Sequence, residues 1–176
     1  MSSTTSRPAF RRFVGAVAVG VALSTTTGCT VPIDAVAGIS VTDDGHLLGV
    51  MMVCGHRIDG ASLSRDDSAT DKSVTVGSWT ARHPLTHGLA TWPLDAPATG
   101  WTATRPLGRL TARTTYSLYG WTNDNSWSSG EISFTLGDRS RLTPGTVLYD
   151  TVSDQGDETT TVVSVADFKA KACQDM

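Results

Sequence analysis

An all-β sandwich closed by one short C-terminal helix is the fold this sequence predicts, and three observations carry the prediction. Short apolar runs recur with turn residues between them, at the spacing of packed strands. Val and Thr are frequent, and both favour extended backbone. The one stretch with helical periodicity and a capping residue lies at the end of the chain, after Ser164.

The elements follow in order. Ala35 to Val41 alternates and then meets Thr42-Asp-Asp-Gly45, a hairpin turn with Asp-Gly at its centre. Leu47 to Cys54 is continuously apolar, the pattern of a central strand. Ala61 to Arg65 forms a short strand after Asp59-Gly60. Ser73 to Thr80 places Val74, Val76 and Trp79 inward if a bulge near Gly77 shifts the alternation. Gly88 to Leu94 is a strand weakened at its end by Pro93. The stretch between Leu94 and Leu110, rich in Pro and Gly, reads as an irregular connection. Thr114 to Trp121 and Glu131 to Leu136 complete the strands. Beyond them, residues 137–176 read as an extra hairpin and a helix over Val165 to Cys173, with Ser164 as its cap and Asp167 at its N-terminus. Val165, Phe168 and Ala172 share one face of that helix, and Lys169 and Lys171 suit its last turn.

The first 28 residues have the composition of a cleavable export signal. Arg7, Arg11 and Arg12 precede an uncharged run from Phe13 to Leu23, too short to span a bilayer, which takes about 20 residues. Gly28-Cys29 resembles the end of a bacterial lipobox, with Thr26 where Leu is usual. Three outcomes follow: lipid attachment at Cys29, ordinary cleavage after Ala22-Leu23-Ser24 to release a secreted soluble protein, or retention of the segment as a tether. The first divides the chain into a signal (1–28), a tether (29–34), a sandwich (35–136) and the C-terminal hairpin and helix (137–176). It places the protein on the outer face of the cytoplasmic membrane, with the membrane as its partner through the lipid on Cys29.

Charge narrows the partners. The chain carries 14 basic and 17 acidic residues; removing the signal takes away three arginines and no acids, leaving 11 against 17, a net charge of −6. That is a poor footprint for nucleic acid, so no nucleic-acid partner is expected. Three cysteines are an awkward number outside the cytoplasm. Assigning Cys29 to lipid leaves Cys54 and Cys173, which either form a disulfide or remain two buried thiols. A bond between them closes a loop worth about 4–5 kcal/mol in the chain-entropy model.

No Gly-x-Ser-x-Gly elbow and no HExxH motif occurs, and nothing sets Glu131 opposite Glu158 as a glycosidase needs. His83 and His87 have helical spacing, but Pro84 argues against a helix there. The acidic pairs Asp43-Asp44 and Asp66-Asp67 and the run Asp154 to Glu158 lack the rest of a calcium loop. Neither catalysis, nor a cofactor, nor a metal is expected; a secreted hydrolase or metal-dependent enzyme is the minor alternative.

Five tryptophans remain to be placed. Trp79, Trp92 and Trp101 suit the core or its ends. Trp121 and Trp127 flank the polar loop Thr122-Asn-Asp-Asn-Ser126, and Asn123 and Asp124 offer hydrogen bonds beside them. One reading makes this loop a ligand site, where the rings stack on a sugar or anchor an extracellular protein. The other packs Trp121 in the core and lays Trp127 over the end of the sandwich.

The segment from Leu110 to Thr135 resembles a fibronectin type III domain. That family runs Leu-x-Pro-x-Thr-x-Tyr into its sixth strand; Leu110, Thr114 and Tyr116 match, and Ala112 replaces the Pro. Arg57 to Ser64 is similar to the family's third strand, with Ile58-Asp59-Gly60 as its Ile-x-Gly and Ala61 where Tyr is usual. The resemblance implies an immunoglobulin-like sandwich in which Tyr116 forms a tyrosine corner, its ring buried and its hydroxyl bonded to backbone a few residues upstream. The whole chain also resembles small lipoproteins of high-GC Gram-positive bacteria, which implies an address and no activity. Together these readings imply a non-catalytic cell-surface protein that binds through its end loops, or alternatively a carbohydrate- or cell-wall-binding module.

Overall fold

The computed structural model describes residues 30–67, 72–152 and 156–174. The expectations for the signal segment 1–28, for Cys29 and for Asp154 fall outside them. No helix among the described residues is long and apolar enough to cross a membrane.

The protein is all-β. Its strands are β1 (Ile33–Val41), β2 (Leu47–Val53), β3 (Ile58–Asp67), β4 (Lys72–Leu85), β5 (Gly88–Pro93), β6 (Trp101–Arg105), β7 (Tyr116–Trp121), β8 (Ser128–Gly130), β9 (Ile132–Phe134), β10 (Thr146–Val152) and β11 (Glu158–Ser164). Among the described residues one α-helix, α1 (Val165–Lys171), follows β11, and a short 3-10 turn covers Asp138–Arg141.

Strand pairing explains the architecture. β1 pairs with β2, and β2 with β5, both antiparallel. In a second group, β3 pairs with β4 and β7, β4 with β6, and β7 with β9. β1 joins the two groups by splitting its free edge. Its first half runs parallel to β8, and its second half runs antiparallel to β10. The result is one continuous, barrel-like sheet instead of two separate layers. The sheet stays open between β5 and β6, and three of the tryptophans seal that seam. Trp92 stacks on Trp101 with ring centroids 4.2 Å apart, and Trp79 packs at a tilt 6.2 Å from Trp92.

The apolar run of β2 has a direct cause. Met51 and Val53 join the main core with Ala35, Ala37 and Ile39 of β1. Val50 and Met52 point the other way, into a second cluster with Val36, Val147, Tyr149 and Phe168. A strand buried on both faces cannot alternate. The cover on the outer face is α1. Ser164 caps it by accepting from the Asp167 N–H at 3.0 Å, and Phe168 is fully buried, edge-on to Tyr149 at 4.9 Å. Burial of such a ring is worth about 1.5–3 kcal/mol. Cys173, just past the helix, is disulfide-bonded to Cys54 at the end of β2, 119 residues away in sequence.

Several expectations change in detail. β3 and β4 run to ten and fourteen residues, well beyond the short stretches 61–65 and 73–80, because each finds partners along its length. Gly77 faces Leu63 and Thr75 faces Ser64, so Val76 is the extra residue of a bulge, and Trp79 and Ala81 turn inward beyond it. The irregular connection holds β6, an edge strand of which only Trp101 is buried. The expected strand over Glu131 to Leu136 shortens to β9, preceded by the three-residue β8.

Candidate functional site

Three segments meet at one end of the molecule: Pro32–Asp34 entering β1, Cys54–Arg57 between β2 and β3, and Thr122–Trp127 between β7 and β8. Their polar residues fix one another.

Thr122 organises the last loop. It is buried, and its hydroxyl accepts from the N–H groups of Ser126 at 2.9 Å and Trp127 at 3.0 Å while donating to the Trp127 carbonyl at 3.1 Å. Asn125 takes a left-handed conformation with φ 56°, which Asn tolerates better than most residues. Asp124 then closes a side-chain turn, accepting from the Ser126 hydroxyl at 2.6 Å and its N–H at 3.2 Å. These bonds from Ser126, with help from Thr122 and the Arg57 guanidinium, hold the Asp124 carboxyl down to a pKa of about 2.

Arg57 bridges the loops. Its guanidinium lies 2.7 Å from Asp124 Oδ2 and 3.6 Å from Asp59 Oδ1. Asp59 is only 4% exposed, and its other oxygen accepts from the Asn123 N–H at 2.8 Å, so this buried carboxylate has a partner on each oxygen. Asp34 does the same for the neighbouring turn. It accepts from the Gly55 N–H at 3.0 Å and from the His56 N–H, and its Oδ2 lies 3.0 Å from His56 Nδ1. The His56 ring is thereby laid on Trp127, centroids 3.6 Å apart and planes 16° apart. The rim is tied further by His87, whose Nδ1 lies 3.0 Å from the Cys54 carbonyl next to the disulfide.

Gly55, His56, Arg57, Thr86, Asp124, Ser126 and Trp127 line an open cleft of about 440 Å³ here. An aromatic pair and a guanidinium–carboxylate pair on a hydrogen-bonded base can accept a polar ligand without rearranging. Of the sequence candidates, Asp124 and Trp127 reach the cleft. Asn123 is exposed on the same loop and contributes its N–H to Asp59. Trp121 stands apart, in neither the cleft nor the core: it lies on the outer face of the sheet over Gly60, half-buried, with Nε1 donating to Ser62 Oγ at 2.9 Å. Strand alternation is the reason, since Tyr116, Leu118 and Gly120 turn inward and Trp121 therefore turns outward. Sequence reasoning missed Asp34, His56, Arg57 and Asp59. Asp34 and His56 are 22 residues apart and Arg57 and Asp124 are 67 apart, so no local spacing marked them.

The remaining residues sort readily. The Tyr116 ring is buried and its hydroxyl accepts from the Thr111 N–H at 2.8 Å. At the opposite end of the molecule, His46 Nδ1 lies 2.8 Å from Asp95 Oδ2 and its Nε2 lies 3.5 Å from Asp44, and the hydrogen bond to Asp95 raises its pKa. His83 lies within β4 and His87 in the turn after it, so they share no helix face. Among the described residues, no three His, Cys, Asp or Glu side chains are grouped to hold a metal ion.

No family model, no curated protein and no solved structure matches this chain.

Proposed function

We propose that this protein is a non-catalytic binding module, exported and held by a lipid on Cys29 at the outer face of the cytoplasmic membrane, and that it binds through the loop cluster around Trp127. The single observation that carries the reading is the pre-organised cleft. Its charged groups and His56 are exposed and Trp127 is half-buried, yet hydrogen bonds and ion pairs fix Arg57, Asp124 and His56 and the Trp127 ring is held by its stack on His56, the arrangement that lowers the ordering cost of binding. A disulfide between Cys54 and Cys173 supports export, since such bonds persist in oxidising compartments. Fibronectin type III-like ancestry is supported by the β1–β2–β5 and β4–β3–β7–β9 pairings and by the Tyr116 hydroxyl bond to Thr111.

A carbohydrate- or cell-wall-binding role is the second reading. The His56–Trp127 stack beside Asp124 and Arg57 favours it, because a sugar offers both an apolar ring face and hydroxyls. Binding to purified envelope glycans and to envelope proteins, each with Trp127→Ala as control, tests the site. Loss of binding in the variant is expected; unchanged binding rejects this cleft. Metabolic labelling with a fatty acid tests the anchor, and a Cys29→Ala protein that still takes up label rejects it.

A further inference from the structure

The proposed anchor and the proposed cleft are close together along the chain, and that closeness fixes an orientation. The carbonyl of Pro32 accepts from the N–H of Ser128, the residue after Trp127, at 2.9 Å. Asp34 holds His56, the ring stacked on Trp127. Only three peptide units separate Cys29 from Pro32, a reach of at most about 11 Å. β1 then carries the chain away from this end through its nine residues, Ile33 to Val41, a rise of about 26 Å. A lipid on Cys29 therefore cannot reach the bilayer with the Trp127 end pointing outward; it brings that end down to the headgroups. The β1–β2 turn at Asp43–Gly45 and the His46–Asp95 pair stand at the far end.

Charge then selects the ligand. Among the described residues Arg57 is the one fixed cation lining the cleft; it is paired with Asp124 in the lining and with Asp59 behind it, and a third carboxylate, Asp34, lies behind His56. Such a cleft repels a phosphate diester and suits a neutral group rich in hydroxyls. We infer that the lipidated protein stands with its His56–Trp127 cleft facing the membrane and binds a neutral sugar headgroup of a lipid in that same membrane. This rests on the anchor reading above.

The test uses the full chain processed in a lipidating host, with the modification on Cys29 established by mass spectrometry before reconstitution. Vesicles are made of phosphatidylcholine alone, with a neutral dihexosyl diacylglycerol added, or with phosphatidylglycerol added. A nitroxide on the lipid headgroup reports proximity by quenching tryptophan emission. Expected are a quenchable component that Trp127→Phe removes, and protection of that component by the glycolipid but not by phosphatidylglycerol. Asp124→Asn is expected to keep the quenching while weakening the protection several-fold. An unmodified Cys29 overturns the anchor and this inference together. With Cys29 modified, an unquenched Trp127 overturns the orientation alone, and equal or greater protection by phosphatidylglycerol, or none from the glycolipid, overturns the sugar headgroup alone.

Discussion

Two tryptophans lie across a glycine on the neighbouring strand, and the two pairs meet opposite fates. Trp92 of β5 faces Gly49 of β2, and Trp121 of β7 faces Gly60 of β3. In each pair a Cβ on the glycine would lie 2.4 Å from Cζ2 of the ring, so the indole rests directly on bare backbone. Trp92 turns to the core and is 1% exposed, while Trp121 turns outward and is half-buried. Outside, the indole N–H donates to Ser62; inside, Trp92 Nε1 has no hydrogen-bond partner among the described residues. Leaving a buried donor unpaired costs about 1–3 kcal/mol. Burying the ring contributes about 1.5–3 kcal/mol, and stacking on Trp101 adds about 0.5–1.5, so the seam tolerates the orphan. The same local device thus closes a core on one face of a sheet and leaves a polar-edged plate on the other.

The comparison breaks most visibly at Trp92. Trp92→Ala should cost about 3–5 kcal/mol, measured by urea unfolding, because it empties the middle of a three-ring cluster. A loss no larger than that of Trp121→Ala would show that the seam is not sealed by packing. The glycines come next. Gly49→Ala should destabilise by about 1–3 kcal/mol, since the ring above it is enclosed. Gly60→Ala should cost no less, since its Cβ would also meet the Trp79 carbonyl oxygen at 2.6 Å, and should shift the Trp121 emission to the red as that ring lifts into solvent. Ser62→Ala should cost about 1 kcal/mol and should not move Trp127 signals, which separates the outer plate from the cleft.

The smallest effect lies in the loop that follows Trp121. Asp124 is held near a pKa of about 2, below its ordinary 3.8. A lowered carboxylate favours the folded loop above about pH 4 and loses that contribution as the pH falls through 2. Carboxyl carbon shifts should show this midpoint. Ser126→Ala should raise it more than Arg57→Ala does, because the Ser126 bonds dominate; the reverse order would make the ion pair the main cause.

Much of the fold was legible for local reasons. Asp43-Asp44-Gly45 reads as a turn because Gly45 supplies the positive φ of 82°. Ser164 and Asp167 read as a helix start because capping is a bond between near neighbours. β6 was hidden because Pro97, Gly100, Pro106 and Gly108 punctuate a five-residue strand whose side chains are mostly exposed. β8 was hidden because Ser-Ser-Gly has no strand preference of its own; it pairs because β1 and Trp121 present edges to it. The cleft was half legible. Trp127 and Asp124 stand out as an aromatic and an acid in one loop, whereas Asp34, His56 and Arg57 belong to other segments and gain their roles only when the ends meet.

By itself, the sequence determined where most strands start and where the last helix is capped, because each depends on neighbours in the chain. Only the tertiary structure decided that β1 splits its edge between β8 and β10, that three tryptophans seal the seam, that Trp121 faces outward and that His56 lies on Trp127. Those outcomes depend on register and on which segments share an end. Register is set by packing across the sheet, and a shift of one residue would have sent every side chain to the other face.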